Sequence, residues 1–174
     1  MQEIRAAILI LSDKAFAGER ADACAPLITQ LLQGVATVTH TAILPDEKQK
    51  IIDALTGLAD RERVDIIITS GGTGLAPRDV TPDATLAVID KPAPGIAEAM
   101  RMHSMRYTDK AMLSRAAAGI RGGTLIINLP GSPKAVRECL DVVLPVIPHA
   151  IETLRGAAYE CGAADPRSET STPL

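Results

Sequence analysis

Three short aliphatic runs limit what this chain can fold into more than any other feature of its sequence. They occupy residues 8–11, 64–69 and 124–129, and none of them alternates between apolar and polar side chains. A strand without this alternation is covered on both faces, as in a parallel sheet that lies between layers of helices. The runs therefore predict a central, mostly parallel sheet in an α/β protein.

Helical patterns separate these runs. Apolar residues recur at helical spacing over 27–32 and 51–59, and residues 35–44 between them have the composition of a further strand. The alternation predicts a three-layer α/β/α fold, in one domain that covers residues 1–155. With 174 residues, of which 47% are hydrophobic, the chain can bury one sizeable core. We expect the small, polar and aperiodic residues 156–174 to form a largely disordered tail.

Further helices are predicted in the second half of the chain. Thr81 is expected to cap a helix that begins with Pro82. Helical patterns follow over residues 92–105, 134–144 and 146–154, and residues 109–120 indicate a helix that ends near Arg115 and continues as an extended stretch.

Composition argues against several classes of partner. A formal net charge of −3 and an aromatic content of 2% are atypical of nucleic-acid binding, so we expect a small-molecule partner. The first apolar stretch is short and follows Glu3 and Arg5, which excludes a signal peptide and a membrane span and predicts a cytoplasmic protein. Cys24, Cys139 and Cys161 lie far apart, so we expect free thiols.

Polar residues and glycines follow each predicted strand. Ligands of open α/β sheets bind beyond the carboxyl ends of the strands, so these residues are candidates for a site. The candidates are Ser12 and Asp13 after the first strand, Asp46 after the second, Gly71, Gly72, Thr73, Gly74 and Asp79 after the third, and Asn128, Pro130, Gly131, Ser132 and Lys134 at the end of the last aliphatic run.

The glycines at 71, 72 and 74 allow backbone N–H groups to turn toward an anion such as phosphate. A tight strand-to-helix turn without a ligand is the alternative. The loop matches neither the P-loop pattern nor GxGxxG.

Asp46 and Asp79 are candidate Mg²⁺ ligands, because Mg²⁺ is commonly held by one or two carboxylates together with substrate phosphates. The structural alternatives are that Asp46 caps the following helix and that Asp79 pairs with Arg78.

The segment at 128–134 ends a strand and opens a helix. Ser132 fits an N-cap or a phosphate donor. Lys134 stands in the first helical turn, where the helix dipole disfavours a cation, so it faces either an anion or solvent. Ser114 and Arg115 offer a hydroxyl and a guanidinium near a helix end, which on their own indicate ordinary surface.

Six segments of the chain form an ordered set: SDKAFAGERAD, LPDE, TSGGTGLAPRDVTPDAT, PGIAEAMR, LSRAAAGIR and INLPGSPKAV. This set resembles the MogA/MoaB family of molybdenum cofactor biosynthesis, whose fold also occurs in the adenylyltransferase domains of gephyrin and plant Cnx. They appear in the family's order between about residues 4 and 154.

The resemblance implies a molybdopterin adenylyltransferase that uses ATP, molybdopterin and Mg²⁺, forms a homotrimer and supplies a downstream molybdenum insertase. It assigns catalysis and metal binding to Asp46 and Asp79. The nucleotide or pyrophosphate site then comprises Ser12, Asp13, Gly71, Gly72, Thr73 and Gly74, and the pterin and phosphate site comprises Ser114, Asn128, Pro130, Gly131, Ser132 and Lys134. A MoaB-like pterin carrier and a general nucleotide-binding regulatory domain remain alternatives.

Overall fold

The computed structural model describes residues 3–156, and this part of the chain has the predicted mostly parallel α/β fold. One sheet has the strand order β2-β1-β3-β6-β5-β4. Its strands are β1 (Arg5–Leu11), β2 (Thr37–Leu44), β3 (Ile66–Ser70), β4 (Lys91–Pro92), β5 (Ala118–Arg121) and β6 (Thr124–Leu129). The first four strands in this order pair in parallel, and β5 and β4 form an antiparallel edge.

Helices cover both faces of the sheet. They are α1 (Asp13–Phe16), α2 (Cys24–Leu31), α3 (Lys48–Thr56), α4 (Thr81–Val88), α5 (Pro94–Ser104), α6 (Pro133–Val143) and α7 (Ile147–Leu154). A π-helical segment (Gly57–Arg61) and two 3₁₀ segments (Asp109–Leu113 and Leu144–Val146) connect some of them.

Alternate residues of the strands enter two separate cores. Ile66 and Ile68 of β3 point to a core formed with α2, α5, α6 and α7, whereas Ile67 points to a core formed with α3 and α4. Successive side chains of a strand point to opposite faces, so a sheet covered on both sides needs apolar residues at every position. This requirement explains why the aliphatic runs lack alternation.

Several predicted boundaries were wrong. The extended stretch predicted after Arg115 contains β5, but the prediction missed β4 and the antiparallel pairing of these strands, and the helix expected from residue 109 is a five-residue 3₁₀ segment. Thr81 does not cap α4, because Val80 occupies the cap position and the Thr81 hydroxyl donates to the carbonyl of Gly71 at 2.9 Å. The hydroxyl thus ties α4 to the glycine loop instead of to its own helix.

Other sequence predictions concern the thiols, the tail and the membrane. Cys24 and Cys139 are buried free thiols, as expected. Cys161 and the tail from residue 157 lie outside the described residues. Within residues 3–156, no helix is long and apolar enough to cross a membrane.

Candidate functional site

A cavity of about 600 Å³ opens where β1, β2 and β3 end. Parallel strands bring their carboxyl ends to the same edge of a sheet, which explains why residues so distant in sequence meet there. We call it the glycine cavity. The predicted site residues that line it are Ser12, Asp46, Gly71, Gly72, Thr73, Gly74, Asp79, Gly131 and Ser132.

Two glycines at the base of this cavity have backbone conformations that other residues rarely adopt. Gly71 has φ +111°, and a Cβ at this position would overlap the carbonyl oxygen of Leu11. Gly72 has φ +61°, and a Cβ there would overlap the Thr81 hydroxyl. The close approach to β1 and α4 requires glycine at both positions. The loop is therefore a tight turn. Because these two positions carry no side chains, the loop also leaves room for a ligand in the cavity.

Asp46 has one carboxylate oxygen held by the protein and one left over. Its Oδ2 accepts from the backbone N–H of Asp13 at 3.0 Å, and its own N–H donates to Asp13 Oδ1 at 2.9 Å. Its Oδ1 is buried and has no hydrogen-bond partner among the described residues. Asp46 does not cap a helix, since Glu47 precedes α3 and no side chain caps it. Oδ1 of Asp46 is therefore available to a ligand in the cavity.

The surroundings of Asp46 and Asp13 shift the pKa values of their carboxyl groups in opposite directions. Burial raises the pKa of the Asp46 carboxyl, and the charges of Asp13 and Asp79 add to this effect. The pKa of Asp13 is lowered, first by the hydrogen bond from the Asp46 N–H and then by Arg78. Arg78 donates to both oxygens of Asp13 at 2.8 to 3.0 Å. The predicted alternative pairing of Arg78 with Asp79 is therefore wrong.

Asp79 faces the same glycine cavity from the other side of the loop. Its Oδ2 accepts from the backbone N–H of Ala76 at 2.8 Å, and a Cβ on Gly74 would lie 2.8 Å from that oxygen. A Cβ on Gly72 would lie 3.1 Å from Asp46 Oδ1. The two acids thus border the same short stretch of glycine backbone.

This donor set fits Mg²⁺ that is shared with a polyphosphate. Among residues 3–156, no group of three or more histidine, cysteine, aspartate or glutamate residues is arranged to hold a metal on its own. Mg²⁺ typically takes one or two carboxylates together with substrate phosphates and water. The buried, unpartnered oxygen of Asp46 is consistent with this mode, because a cation there would satisfy it.

Arg115 fixes the loop that carries Asp79, a role that the sequence did not indicate. Its guanidinium donates to the carbonyl of Gly74 at 3.0 Å, to the carbonyl of Asp79 at 2.6 Å and to Asp83 of α4 at 2.6 Å. Its backbone N–H donates to the carbonyl of Thr73 at 2.8 Å. The planar fork of an arginine suits such multiple acceptors. Its partners are distant in sequence, so no local pattern could have identified it.

A second cavity, of about 260 Å³, adjoins the first. We call it the apolar cavity, because most of its wall is carbon. The two cavities share Thr73 and Gly74, so one extended molecule can reach from one into the other. Its other lining residues include Ala97, Met100, Leu113, Ser114, Pro130 and Glu138.

Comparison with known proteins agrees with this arrangement. Residues 7–149 match the family described as a probable molybdopterin binding domain. The chain belongs to this family. It is 42% identical over 159 residues to a molybdopterin adenylyltransferase of Helicobacter pylori, covering 90% of each chain. It is 37% identical over 175 residues to the enzyme of that name from Escherichia coli K12, covering 92% of this chain and 90% of the relative.

The same family supplies similar solved structures. The molybdopterin biosynthesis enzyme MoaB from Thermus thermophilus has 51% sequence identity and a TM-score of 0.84, with 88% of this chain and 97% of that chain covered. At this identity, the likeness extends beyond the fold to the family.

The remaining predicted site residues differ in their access to the cavities. Ser114 and Pro130 line the apolar cavity. Ser132 caps α6 by accepting from the N–H of Ala135, as predicted. Lys134 extends into solvent with 81% of its side chain exposed, and its acidic neighbour Glu138 is 3.9 Å away. The structure thus favours the solvent-facing alternative for this lysine.

Asn128 lies behind the site. It is 0% exposed, and its amide donates to the hydroxyls of Thr69 and Thr85 at 3.0 and 2.8 Å. Its carbonyl oxygen accepts from the N–H of Ala117 at 3.2 Å. Both amide protons are therefore used inside the protein. These contacts indicate that Asn128 ties β3, α4 and the segment before β5 together, and that it does not face either cavity.

Proposed function

We propose that this chain is a molybdopterin adenylyltransferase in molybdenum cofactor biosynthesis, which transfers AMP from ATP to the phosphate of molybdopterin and releases pyrophosphate. Family membership and relatives of that name, aligned over about nine-tenths of the chain, support the activity. One observation supports assigning the activity to particular residues: the unpartnered Oδ1 of Asp46 lies at the same cavity as Asp79 and the glycine loop.

In the proposed reaction, a phosphate oxygen of molybdopterin attacks the α-phosphorus of ATP in line. The new P–O bond forms as the bond from the α-phosphorus to the bridging oxygen breaks, and pyrophosphate carries the electron pair away. The attacking phosphate is already ionised near neutral pH, so no general base is needed. Such transfers depend mainly on positioning and on neutralising charge.

Each part of the site has a role in this proposal. Asp46 and Asp79 are the residues that would hold Mg²⁺, which would supply neutralisation of polyphosphate charge. The backbone N–H groups of residues 71–74 bind the phosphates that become pyrophosphate. Ser12 borders this nucleotide site, and Asp13, which does not line the glycine cavity, acts through its contacts to Asp46 and Arg78. Ser114, Pro130, Gly131 and Ser132 border the path from the glycine cavity to the apolar cavity.

ATP labelled at the α-phosphorus, incubated with molybdopterin and Mg²⁺, tests the activity directly. We expect labelled AMP on the pterin with the wild-type chain, and turnover lower by roughly 100-fold or more with Asp79→Asn. Pterin affinity should change far less, since Asp79 acts on the nucleotide side. Asp141→Asn, which removes an exposed acid of α6, is the matched control and should transfer AMP normally.

The other outcomes decide between functions. Retention of molybdopterin without AMP transfer would replace the proposal by a pterin-carrier function. Binding of ATP without any effect of pterin would favour a nucleotide-binding regulatory domain. Equal losses of turnover and pterin affinity in Asp79→Asn would contradict the role given to this residue.

Assembly and partners complete the proposal. We propose a homotrimer, and the exposed apolar side chains between residues 102 and 113, among them Met102 at 71% and Met112 at 60% exposure, support self-association. Mass measurement in solution checks the number of chains. A cytoplasmic location and transfer of the product to a molybdenum insertase stay predictions.

A further inference from the structure

Glu138 presents a buried carboxylate to the apolar cavity. The residue lies on α6, is 8% exposed and lines this cavity beside Met100 and Cys139. Among the described residues, no N–H or O–H group donates to its oxygens. Its ionic neighbour is the exposed Nζ of Lys134, which is 3.9 Å from Oε1. Its side chain is 11% exposed, so the carboxylate has accepting capacity that the protein does not use and that a molecule in the cavity can reach.

A largely buried carboxylate is normally paired or hydrogen-bonded, because loss of contact with water is offset by such partners. The partial exposure of Glu138 leaves this place open to a ligand. The nearby arginine does not serve this need, since Arg101 Nη1 donates to the carbonyls of Ser114 and Ala116. These two bonds fix the opposite wall of the cavity. A ligand in this cavity that carries two parallel donors would pair with Glu138, because both carboxylate oxygens can accept at once.

The shape and position of the cavity restrict the ligand that supplies these donors. A volume of about 260 Å³ with mostly carbon walls suits a flat heterocyclic ring system, at the small end of the usual range for ligand pockets. The shared wall at Thr73 and Gly74 places the far end of such a ligand beside the anion-binding glycine loop. The ligand is then planar and apolar at one end and anionic at the other.

We propose that Glu138 recognises the pyrimidine edge of the pterin, accepting hydrogen bonds from its 2-amino group and from the adjacent ring N3–H. This inference rests on the proposed function and adds to it the residue that selects the ring. The amino group and N3–H point the same way and match a carboxylate in a bidentate pair. The phosphate of the same molecule then extends toward residues 71–74.

The test compares two probes that differ at one position of the ring. Pterin, the 2-amino-4-oxopteridine, carries the amino group, and lumazine, the 2,4-dioxopteridine, has a carbonyl oxygen in its place. Binding of each is measured by fluorescence. We expect the wild-type chain to bind pterin at least about tenfold more tightly, because lumazine sets an oxygen against the carboxylate.

Glu138→Gln should reverse or abolish this preference. The glutamine amide keeps the size of the side chain, and it can donate to the lumazine carbonyl while accepting from N3–H. If the substitution only reduced the fraction of folded protein, the ratio of the two affinities would not change. The control Asp141→Asn, which removes an exposed acid of the same helix, should keep the wild-type ratio.

Three results would overturn the inference. They are an equal pterin-to-lumazine ratio in the wild-type chain and in Glu138→Gln, no preference in the wild-type chain, and no pterin binding by the wild-type chain at millimolar concentration. A preference of the wild-type chain for lumazine would also overturn the inference, without any measurement on a variant. Wild-type pterin selectivity without AMP transfer would reject the proposed activity and retain the role of Glu138.

Discussion

Gly71→Ala should destabilise the fold and remove nucleotide binding together. Gly71 has φ +111°, and the added Cβ would overlap the carbonyl oxygen of Leu11, the last residue of β1. Backbone is stiff on both sides, so either β1 or the glycine loop must move. Because β1 leads directly to Ser12 and the loop carries the N–H groups proposed to bind phosphate, movement of either one disturbs the nucleotide site.

The size of the effect follows from two contributions. A non-glycine residue in this conformation costs about 1 to 3 kcal/mol, and the overlap adds roughly 1 to 3 kcal/mol. Together they lower the free energy of unfolding by about 2 to 6 kcal/mol. For a chain of this length, we expect Tm to fall by at least about 4 °C. Denaturant and thermal unfolding measure the loss, and ATP titration measures binding.

Gly18→Ala separates these two contributions. Gly18 also has positive φ, +76°, but a Cβ there would have no atom within 4 Å. This variant should therefore show the backbone cost alone, about 1 to 2 kcal/mol, with ATP binding retained. If Gly71→Ala loses no more stability than Gly18→Ala, the close approach of the loop to β1 is not a real constraint, and the reasoning fails.

The remaining predictions concern Asp46 and Arg115. Burial raises the pKa of Asp46, so without metal the wild type should gain stability relative to Asp46→Asn as pH falls from above the raised pKa to the ordinary value. Thermal unfolding in the presence of a chelator measures this difference. A relative loss of stability on acidification would contradict the prediction. Arg115→Lys should lower kcat for AMP transfer by roughly 10- to 100-fold, because an ammonium lacks the planar fork that bridges the Asp79 carbonyl and the Asp83 carboxylate. The control Arg121→Lys alters a similar bidentate pair with Asp60 and should leave kcat unchanged.

The sequence predicted the parts of the site that depend on local pattern. Aliphatic runs indicated buried strands, and the residues after them met at one edge because parallel strands end together. Asp46, Asp79 and the glycine loop were predicted in this way, and they line one cavity. Residue type alone did not give the orientation of Asn128, which packing buries away from both cavities, or of Lys134, which extends into solvent.

The sequence by itself determined the layered α/β fold and the edge of the sheet where the site lies, since both follow from the spacing of apolar residues and from glycine and proline in the turns. Only the tertiary structure decided which groups pair. Arg78 meets Asp13 across 65 residues, and Arg115 meets Asp79 across 36. The same packing placed Glu138, which is 8% exposed, on the wall of the apolar cavity. Ion pairs between distant residues, and the position of a single polar side chain on a cavity wall, depend on surfaces brought together by folding, and no local sequence pattern encodes them.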